Sequence, residues 1–248
     1  MRDWPTRADL NALADGLQNA RGAPIRFVDA PESVSAMQYE SQIAETGQVA
    51  TRERNWHDFF NACVWLAFPA SKGAISDLHA GLLRKRGDAE SRARSVERDV
   101  LTLFDEGGIV IACADSTLSD AIREFRWREL FWERRTDCTE RLRCFLFGHA
   151  QLEKALDPYV GVTARAIIIP VGEVFLAASR AAQIETLDQH VARWLREPAN
   201  LSSTRNLCPF PHLGLPGWFA PNESAMFYDK TDYFRSGRQF GRGATGPA

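Results

Sequence analysis

The six apolar residues Ile109-Val110-Ile111-Ala112-Cys113-Ala114 are the stretch that decides the fold. A run of this length without polar alternation is typical of a strand covered on both faces. Gly107-Gly108 precede the run and Asp115-Ser116 follow it, and such residues interrupt regular structure. The sequence therefore predicts a central strand at 109–114, with other elements packed on each side of its sheet.

Helical patterns and further apolar runs alternate around this strand. Helices are expected over Val96–Asp105 before it and Leu118–Phe125 after it. Leu142–Phe147 and Ala164–Val171 are two more apolar runs, each followed by a helical pattern. This order predicts an α+β fold, or a loosely organised α/β fold. We expect a helix-rich single domain over residues 1–235, with a small, partly parallel sheet.

The region before the central strand is more polar. Residues 29–54 are expected to be mostly irregular, with a short strand at Gln48–Arg52. Asn55 is expected to cap a strongly apolar helix that Pro69 ends. A second helix is expected after it, and the charge run at 84–94 is expected to form an exposed loop.

The C-terminal segment from Asn200 carries many prolines, which exclude long regular elements, and many aromatic residues. It is expected to form an irregular aromatic arm that buries its rings against the core. Residues 236–248 are rich in glycine and predict a disordered tail. The aromatic residues are Phe210, Trp218, Phe219, Phe227, Tyr228, Tyr233 and Phe234.

Composition excludes several functional classes. A formal net charge of −2 argues against nucleic acid as a partner, and no apolar run is long enough to span a membrane. The five cysteines form no C-x-x-C pair, and the N-terminus shows no secretory signal, so a reduced, cytoplasmic location is expected. The chain also lacks G-x-S-x-G, H-E-x-x-H, P-loop and G-x-G-x-x-G motifs. A small-molecule ligand remains compatible with these exclusions.

His57 and Asp58 lie in the first turn of the helix that Asn55 opens, and Asn61 is one turn further on the same face. A helix N-terminus offers free N–H groups and partial positive charge, so these side chains can form a polar corner that faces a ligand. In the alternative interpretation, Asn55 and Asp58 cap the helix while His57 bonds a nearby carbonyl.

His149 and Glu153 are four residues apart, so both project from one face of the next predicted helix. This spacing suits a shared metal ion or an imidazole held in one tautomer, and His149 also follows a predicted strand. A simple surface ion pair is the alternative. Asp105 and Glu106 are adjacent in a helix and diverge by about 100°, so they are not expected to share a site.

The segment Arg123–Arg143 is rich in arginine, with Trp127, Phe131 and Trp132 interspersed. Such a surface can stack on bases and pair with phosphates. However, acidic residues are interleaved with the arginines, which is typical of a solvated, ion-paired helix face.

Several motifs together resemble a bacterial family known as domain of unknown function 3025. They occur in the family's order and cover about residues 39–235. The resemblance implies a single intracellular bacterial domain, but no activity and no catalytic residues. The motifs are Arg54–Asn61 with Trp65–Pro69, Leu103–Gly108, Phe147–Ala150 with Leu152–Lys154, Gly214–Trp218, and Phe227–Asp229 near Phe234-Arg235.

Two functional classes follow from these residues. The first is a hydrolase-type enzyme, metal-assisted or acid/base, with His57, Asp58, His149 and Glu153 as catalytic residues and a divalent metal as its cofactor. The metal ligands would be His57, His149 and Glu153. The second is a non-catalytic binding protein that recognises an anionic or nucleic-acid partner through the arginine–aromatic segment. Proximity of His57 and His149 in one pocket would favour the enzyme.

Overall fold

The computed structural model describes residues 4–30, 36–90 and 95–237. Its strands are β1 (Arg26–Val28), β2 (Gln48–Ala50), β3 (Gly108–Cys113), β4 (Leu142–Leu146), β5 (Ala164–Pro170) and β6 (Cys208–Phe210). Its helices are α1 (Arg7–Leu13), α2 (Ala36–Thr46), α3 (Trp56–Ala67), α4 (Pro69–Glu90), α5 (Val96–Gly107), α6 (Ser116–Arg123), α7 (Arg135–Arg141), α8 (His149–Lys154), α9 (Glu173–Ala177), α10 (Arg180–Arg196) and α11 (Pro198–Leu201). A π-helical turn spans Glu129–Glu133, and short 3₁₀ turns follow α11.

Strand β3 lies inside a four-stranded sheet with the order β4-β3-β5-β6, and every one of its residues is buried. It pairs parallel with β5 and antiparallel with the edge strand β4. Its side chains alternate between two cores, with Ile109 and Ile111 on one face and Val110 and Ala112 on the other. The predicted strand, the small, partly parallel sheet and the helix-rich α+β class are confirmed.

The two sheet faces carry different layers. Helix α6, the π-helical turn and the C-terminal arm cover the face of Ile111. Helices α3, α4, α5 and α10 cover the face of Val110. The predicted burial of the arm is confirmed for most of its rings, since Phe210, Phe227 and Phe234 are buried, whereas Trp218 is 39% exposed. Residues 238–248, most of the predicted tail, lie outside the described part of the chain.

The N-terminal region forms a third core, in which α1 and α2 pack around a parallel pair of strands, β1 and β2. The expectation that residues 29–54 are mostly irregular is wrong, because α2 spans Ala36–Thr46. Its apolar side chains are few, but Ile43 is buried against α3 residues such as Trp65. Tertiary packing therefore stabilises a helix that local pattern does not indicate.

Helix α4 begins directly at Pro69 and continues to Glu90, beyond the predicted start of a loop at residue 84. The backbone N–H groups of Ala70 and Ser71 donate to the Asp188 carboxylate at 2.9 and 2.7 Å, so α10 caps this helix from outside. The charged residues after 84 include strong helix formers, which continue the helix instead of ending it. Residues 91–94 of the predicted loop lie outside the described residues.

Helix α3 separates the N-terminal core from the core on the sheet. Ala62 and Trp65 face the N-terminal core, whereas Val64 and Phe68 face the sheet. Asn55 caps the helix as predicted, accepting a hydrogen bond from the Asp58 amide at 3.0 Å. The first turn of α3 is therefore held between two packed regions. No described helix is long and apolar enough to cross a membrane.

Candidate functional site

His57 and His149 lie against each other, with ring centroids 4.4 Å apart. His57 is in the first turn of α3, and His149 is the first residue of α8. These two helices pack side by side. The structure thus brings together two histidines that are far apart in sequence.

A tight backbone approach places the end of α5 beside the start of α8. Because β3 and β4 are antiparallel, the chain leaving β4 returns to the start of β3, and the amides of Phe147 and Gly148 both donate to the Gly108 carbonyl. A Cβ atom at Gly148 would lie 2.4 Å from the Glu106 carbonyl oxygen. Only glycine fits this contact, which holds Glu106 next to His149.

The Glu106 carboxylate faces both imidazoles. Its Oε2 atom is 3.4 Å from Nε2 of His149 and 4.0 Å from Nε2 of His57. One ligand atom from each of the three residues lies within 4.8 Å of the other two. A metal at 2.0–2.2 Å from each donor needs donors about 3–3.5 Å apart, so small side-chain rotations complete the site.

The other nitrogen of each imidazole faces a second carboxylate. Nδ1 of His57 is 3.2 Å from Oε2 of Glu153, and Nδ1 of His149 is 3.7 Å from Oδ2 of Asp105. For both histidines to bind a metal through Nε2, the ring proton would have to lie on Nδ1, the side that faces the second carboxylate. Metal-binding histidines characteristically have such outer carboxylates, which fix the tautomer and ring orientation. We name the set His57, Glu106, His149 and Glu153 the histidine cluster.

Asp105 connects the histidine cluster to a buried lysine. Lys72 Nζ donates to Asp105 Oδ1 at 2.6 Å, and both side chains are buried. Burial raises the pKa of Asp105, but the charges of Lys72 and His149 outweigh it and the net pKa is lowered. The hydrogen bond from His149 lowers the pKa of Glu106. Both carboxylates are therefore anionic at neutral pH and attract a cation.

Glu40 on α2 adds a further carboxyl group behind Asp105. Burial, followed by repulsion from Asp105, raises the pKa of Glu40 to about 7, although Lys72 opposes the shift. Tyr39, next to Glu40, accepts a hydrogen bond from the Asn61 amide at 2.8 Å. Helix α2, which the sequence pattern did not indicate, thus contributes polar groups behind the cluster.

Buried polar atoms without a hydrogen-bond partner concentrate in this part of the described structure. Buried polar groups are normally satisfied, so each such atom needs an explanation. The four atoms are Glu40 Oε2, Asn61 Oδ1, Trp65 Nε1 and His149 Nδ1.

The histidine cluster opens to solvent on one side. The side chain of His149 is only 6% exposed, whereas those of His57 and Glu106 are 33% and 45% exposed. Glu153 is exposed to a similar extent as Glu106. The cluster thus has one buried histidine and three side chains in contact with solvent.

Asp58 is not in the histidine cluster, although it follows His57. Its carboxylate accepts hydrogen bonds from the Arg52 amide and guanidinium, each at 2.8 Å. Burial raises the pKa of Asp58, but these bonds outweigh it and lower the net value. Asp58 thus anchors the start of α3 to the chain before it.

One expectation about this site is wrong. Asp105 and Glu106 do lie at one place, because the His149 ring lies between them and offers each carboxylate a different nitrogen. His149 follows β4, as expected, and because β4 is antiparallel to β3 the cluster lies beside the N-terminal end of β3. Glu153 pairs with His57 and not with His149. Helical spacing could not predict this contact, because the two residues lie on different helices.

The arginine–aromatic segment is largely occupied by internal contacts. Trp127 and Phe131 are buried, so neither ring is available to stack on a base. Each arginine from Arg123 to Arg141 lies within 4.0 Å of a carboxylate. The pairs are Arg123–Asp120, Arg126–Glu129, Arg128–Asp229, Arg134–Asp115, Arg135–Glu223 and Arg141–Glu173.

Comparison with known proteins identifies the family to which this chain belongs. The family model described as protein of unknown function (DUF3025) matches residues 25–238. The chain is a member of that family, as its motifs predict. No curated protein and no solved structure matches the chain significantly.

Proposed function

We propose that this protein is a metal-assisted hydrolase whose divalent ion is held by His57, Glu106 and His149. One observation carries the proposal: the Nε2 atoms of both histidines converge on Glu106 Oε2, while both Nδ1 atoms face carboxylates. Two histidines that met by chance would not be expected to have a carboxylate, Glu153 or Asp105, facing each Nδ1 atom as well. Inner donors backed by outer carboxylates are the arrangement that metal centres characteristically use, and this likeness supports the proposal.

The donor set limits the metals. Two imidazoles and one carboxylate suit Zn²⁺, Mn²⁺ or Fe²⁺, and three protein ligands leave coordination positions open. Glu153, a predicted metal ligand, is assigned instead to orienting His57, since its carboxylate lies on the Nδ1 side of the ring.

The proposed chemistry follows from the open positions. A bound divalent ion supplies Lewis acidity and lowers the pKa of a coordinated water towards about 7. His57 and Glu106 hold the exposed side of the site, and the buried Asp105–Lys72 pair orients His149 from behind. Half-exposed Glu106 and Glu153 leave this side of the cluster in contact with solvent, from which a small-molecule substrate would enter. A cytoplasmic location is part of the same proposal.

Metal analysis is the first test. Protein stripped with a chelator and titrated separately with Zn²⁺, Mn²⁺ and Fe²⁺ is expected to retain one ion per chain, measured by plasma mass spectrometry after desalting. His57→Ala, His149→Ala and Glu106→Gln should each weaken binding by more than about 100-fold, because a direct ligand is lost. Glu153→Gln and Asp105→Asn should weaken it by about 10–100-fold.

A matched control is His190→Ala, which removes a partly exposed histidine on α10, outside the cluster. It should leave metal binding unchanged. The metal-loaded protein is then screened against ester, amide and phosphoester substrates, and the His57→Ala/His149→Ala double variant should be little worse than either single variant. Absence of stoichiometric metal, or equal binding by the control and the ligand variants, would refute the metal site. Metal binding without hydrolysis in any arm would refute the activity.

A further inference from the structure

Two adjacent cavities form a groove along the outer edge of β4, and none of the described roles uses it. Their volumes are about 220 and 330 Å³. Cys144, Arg180 and Trp218 line both, so the cavities are two parts of one groove. None of the residues that line either cavity is acidic.

Arg180 is the central charge of this groove. Its guanidinium lies over the Phe145 ring at 3.8 Å from the centroid and donates to the Cys144 carbonyl at 3.4 Å. Within the described residues, no carboxylate is in ion-pair distance of Arg180. The guanidinium of Arg180 is partly removed from water, and this burial lowers its pKa.

Arg143 lines the smaller cavity beside Arg180 and likewise has no carboxylate in ion-pair distance among the described residues. Its guanidinium instead donates to backbone carbonyls at the end of α7, including those of Thr139 and Leu142. The six preceding arginines, from Arg123 to Arg141, all have acidic partners. At this groove, the positive charges of Arg180 and Arg143 are thus not neutralised by a carboxylate of the described residues.

The larger cavity supplies an apolar wall. Helix α3 contributes Val64 and Ala67, Phe68 directly follows that helix, and α8 contributes Leu152. Trp218, 39% exposed, lies where the two cavities meet. The groove thus has positive charge at its centre and in the smaller cavity, and apolar surface in the larger cavity, which is complementary to an amphipathic anion.

We propose that this groove binds a small amphipathic anion, with its carboxylate or phosphate head at Arg180 and Arg143 and its apolar tail against Trp218 and α3. An arginine fork matches the two oxygens of such a head group. An extended peptide fits less well, although β4 is an edge strand, because Arg180 already binds the Cys144 carbonyl that an added strand would use. The site shares no residue with the histidine cluster and does not depend on the proposed hydrolysis.

The test uses decanoate, decyl phosphate and the uncharged decanol as probes, measured by titration calorimetry on the full chain. The wild type is expected to bind one decanoate or decyl phosphate per chain saturably, and the two arms show which head group is preferred. Arg180→Met retains the apolar stem over Phe145 and should weaken binding of the anions by about tenfold or more, with little effect on decanol.

Arg193→Met is the matched control, because Arg193 is an exposed arginine on the same helix, outside the groove. It should bind like the wild type. Trp218→Leu should weaken both anions and decanol together, since it alters the apolar wall. Thermal melting and far-ultraviolet circular dichroism verify that each variant folds. Lack of saturable binding by the wild type below about 1 mM, or equal affinities of Arg180→Met and Arg193→Met, would overturn the proposal. Peptide binding without binding of either anion would overturn it as well.

Discussion

The aromatic arm and the histidine cluster lie in different parts of the molecule. They differ in whether their buried polar groups have hydrogen-bond partners. In the arm, the hydroxyl of Tyr233 accepts from the Leu213 amide and donates to the Val162 carbonyl. The side-chain amide of fully buried Asn222 donates to two backbone carbonyls. Around the histidine cluster, by contrast, buried atoms of Glu40, Asn61 and His149 have no hydrogen-bond partner.

This difference indicates that the polar groups of the arm stabilise the fold, whereas those around the cluster are arranged to bind a ligand. A satisfied polar group in an aromatic core fixes one packing arrangement, and its loss costs free energy of unfolding. Buried polar groups without partners and neighbouring like charges lower the stability of the fold. They are therefore expected mainly at sites where a bound ligand supplies the missing partner or the opposite charge. Variants in the arm should therefore change the free energy of unfolding, whereas variants in the cluster should change ligand binding.

The largest effect is expected for Phe131→Ala. Phe131 lies in the π-helical turn on which the arm packs, is fully buried, and contacts the arm rings of Phe210, Tyr228 and Phe234 as well as that of Trp127. Removing it should lower the free energy of unfolding by about 3–5 kcal/mol, measured by urea denaturation. The protein that remains folded should bind metal as the wild type does. Loss of metal binding by the folded variant would break the separation between the two regions.

Glu40→Gln should act in the opposite direction and stabilise the protein. The native pKa of Glu40 is about 7 against an ordinary value of 4.5, so the folded state holds this proton more tightly than the unfolded state. The free energy of unfolding that Glu40 contributes is therefore greatest below the unfolded pKa and falls as pH rises to the native value. At pH 8, Glu40→Gln should raise the free energy of unfolding by about 1–3 kcal/mol.

The control for this prediction is Glu45→Gln, an exposed carboxyl on the same helix. At pH 8 it should leave the free energy of unfolding within about 0.5 kcal/mol of the wild-type value, as is usual for an exposed surface substitution. Destabilisation of Glu40→Gln at pH 8 would show that the Glu40 carboxylate stabilises the fold, and the contrast with the arm would then fail.

The smallest effect is expected for the helix cap beside His57. Asn55→Ala removes the bond to the Asp58 amide and should lower the free energy of unfolding by about 1 kcal/mol. Thr6→Ala removes the cap of α1 and should cost a similar amount. Isothermal metal titration of both variants sharpens the comparison: weaker binding in Asn55→Ala alone would show that the cap also positions His57.

Much of the fold could be predicted because its signals are local. The buried run that became β3 needs no knowledge of its neighbours, and the cap at Asn55 follows from residue type and position. Helix α2 could not be predicted from its pattern, because its few apolar residues are buried only by tertiary packing, which includes α4 and the N-terminal core. The start of α4 directly at Pro69 depends on a capping carboxylate from Asp188, far along the chain.

Only part of the candidate site could be predicted from the sequence, because the rest depends on contacts between distant segments. His57, His149 and Glu153 were predicted from types and spacings, and the structure places all three together. Glu106 was missed because its role depends on the antiparallel pairing of β3 with β4, which no spacing in the sequence reveals. The glycine before His149 was the available signal, since a backbone contact that excludes a Cβ marks a close approach.

The distribution of the cluster over α3, α5 and α8 has a kinetic consequence. Its members come from segments separated by tens of residues, so their convergence requires long-range contacts that close late in folding. A metal ion held by them would have little to bind in the folding transition state. It should therefore leave the folding rate almost unchanged and slow unfolding instead, which would extend the lifetime of the native protein.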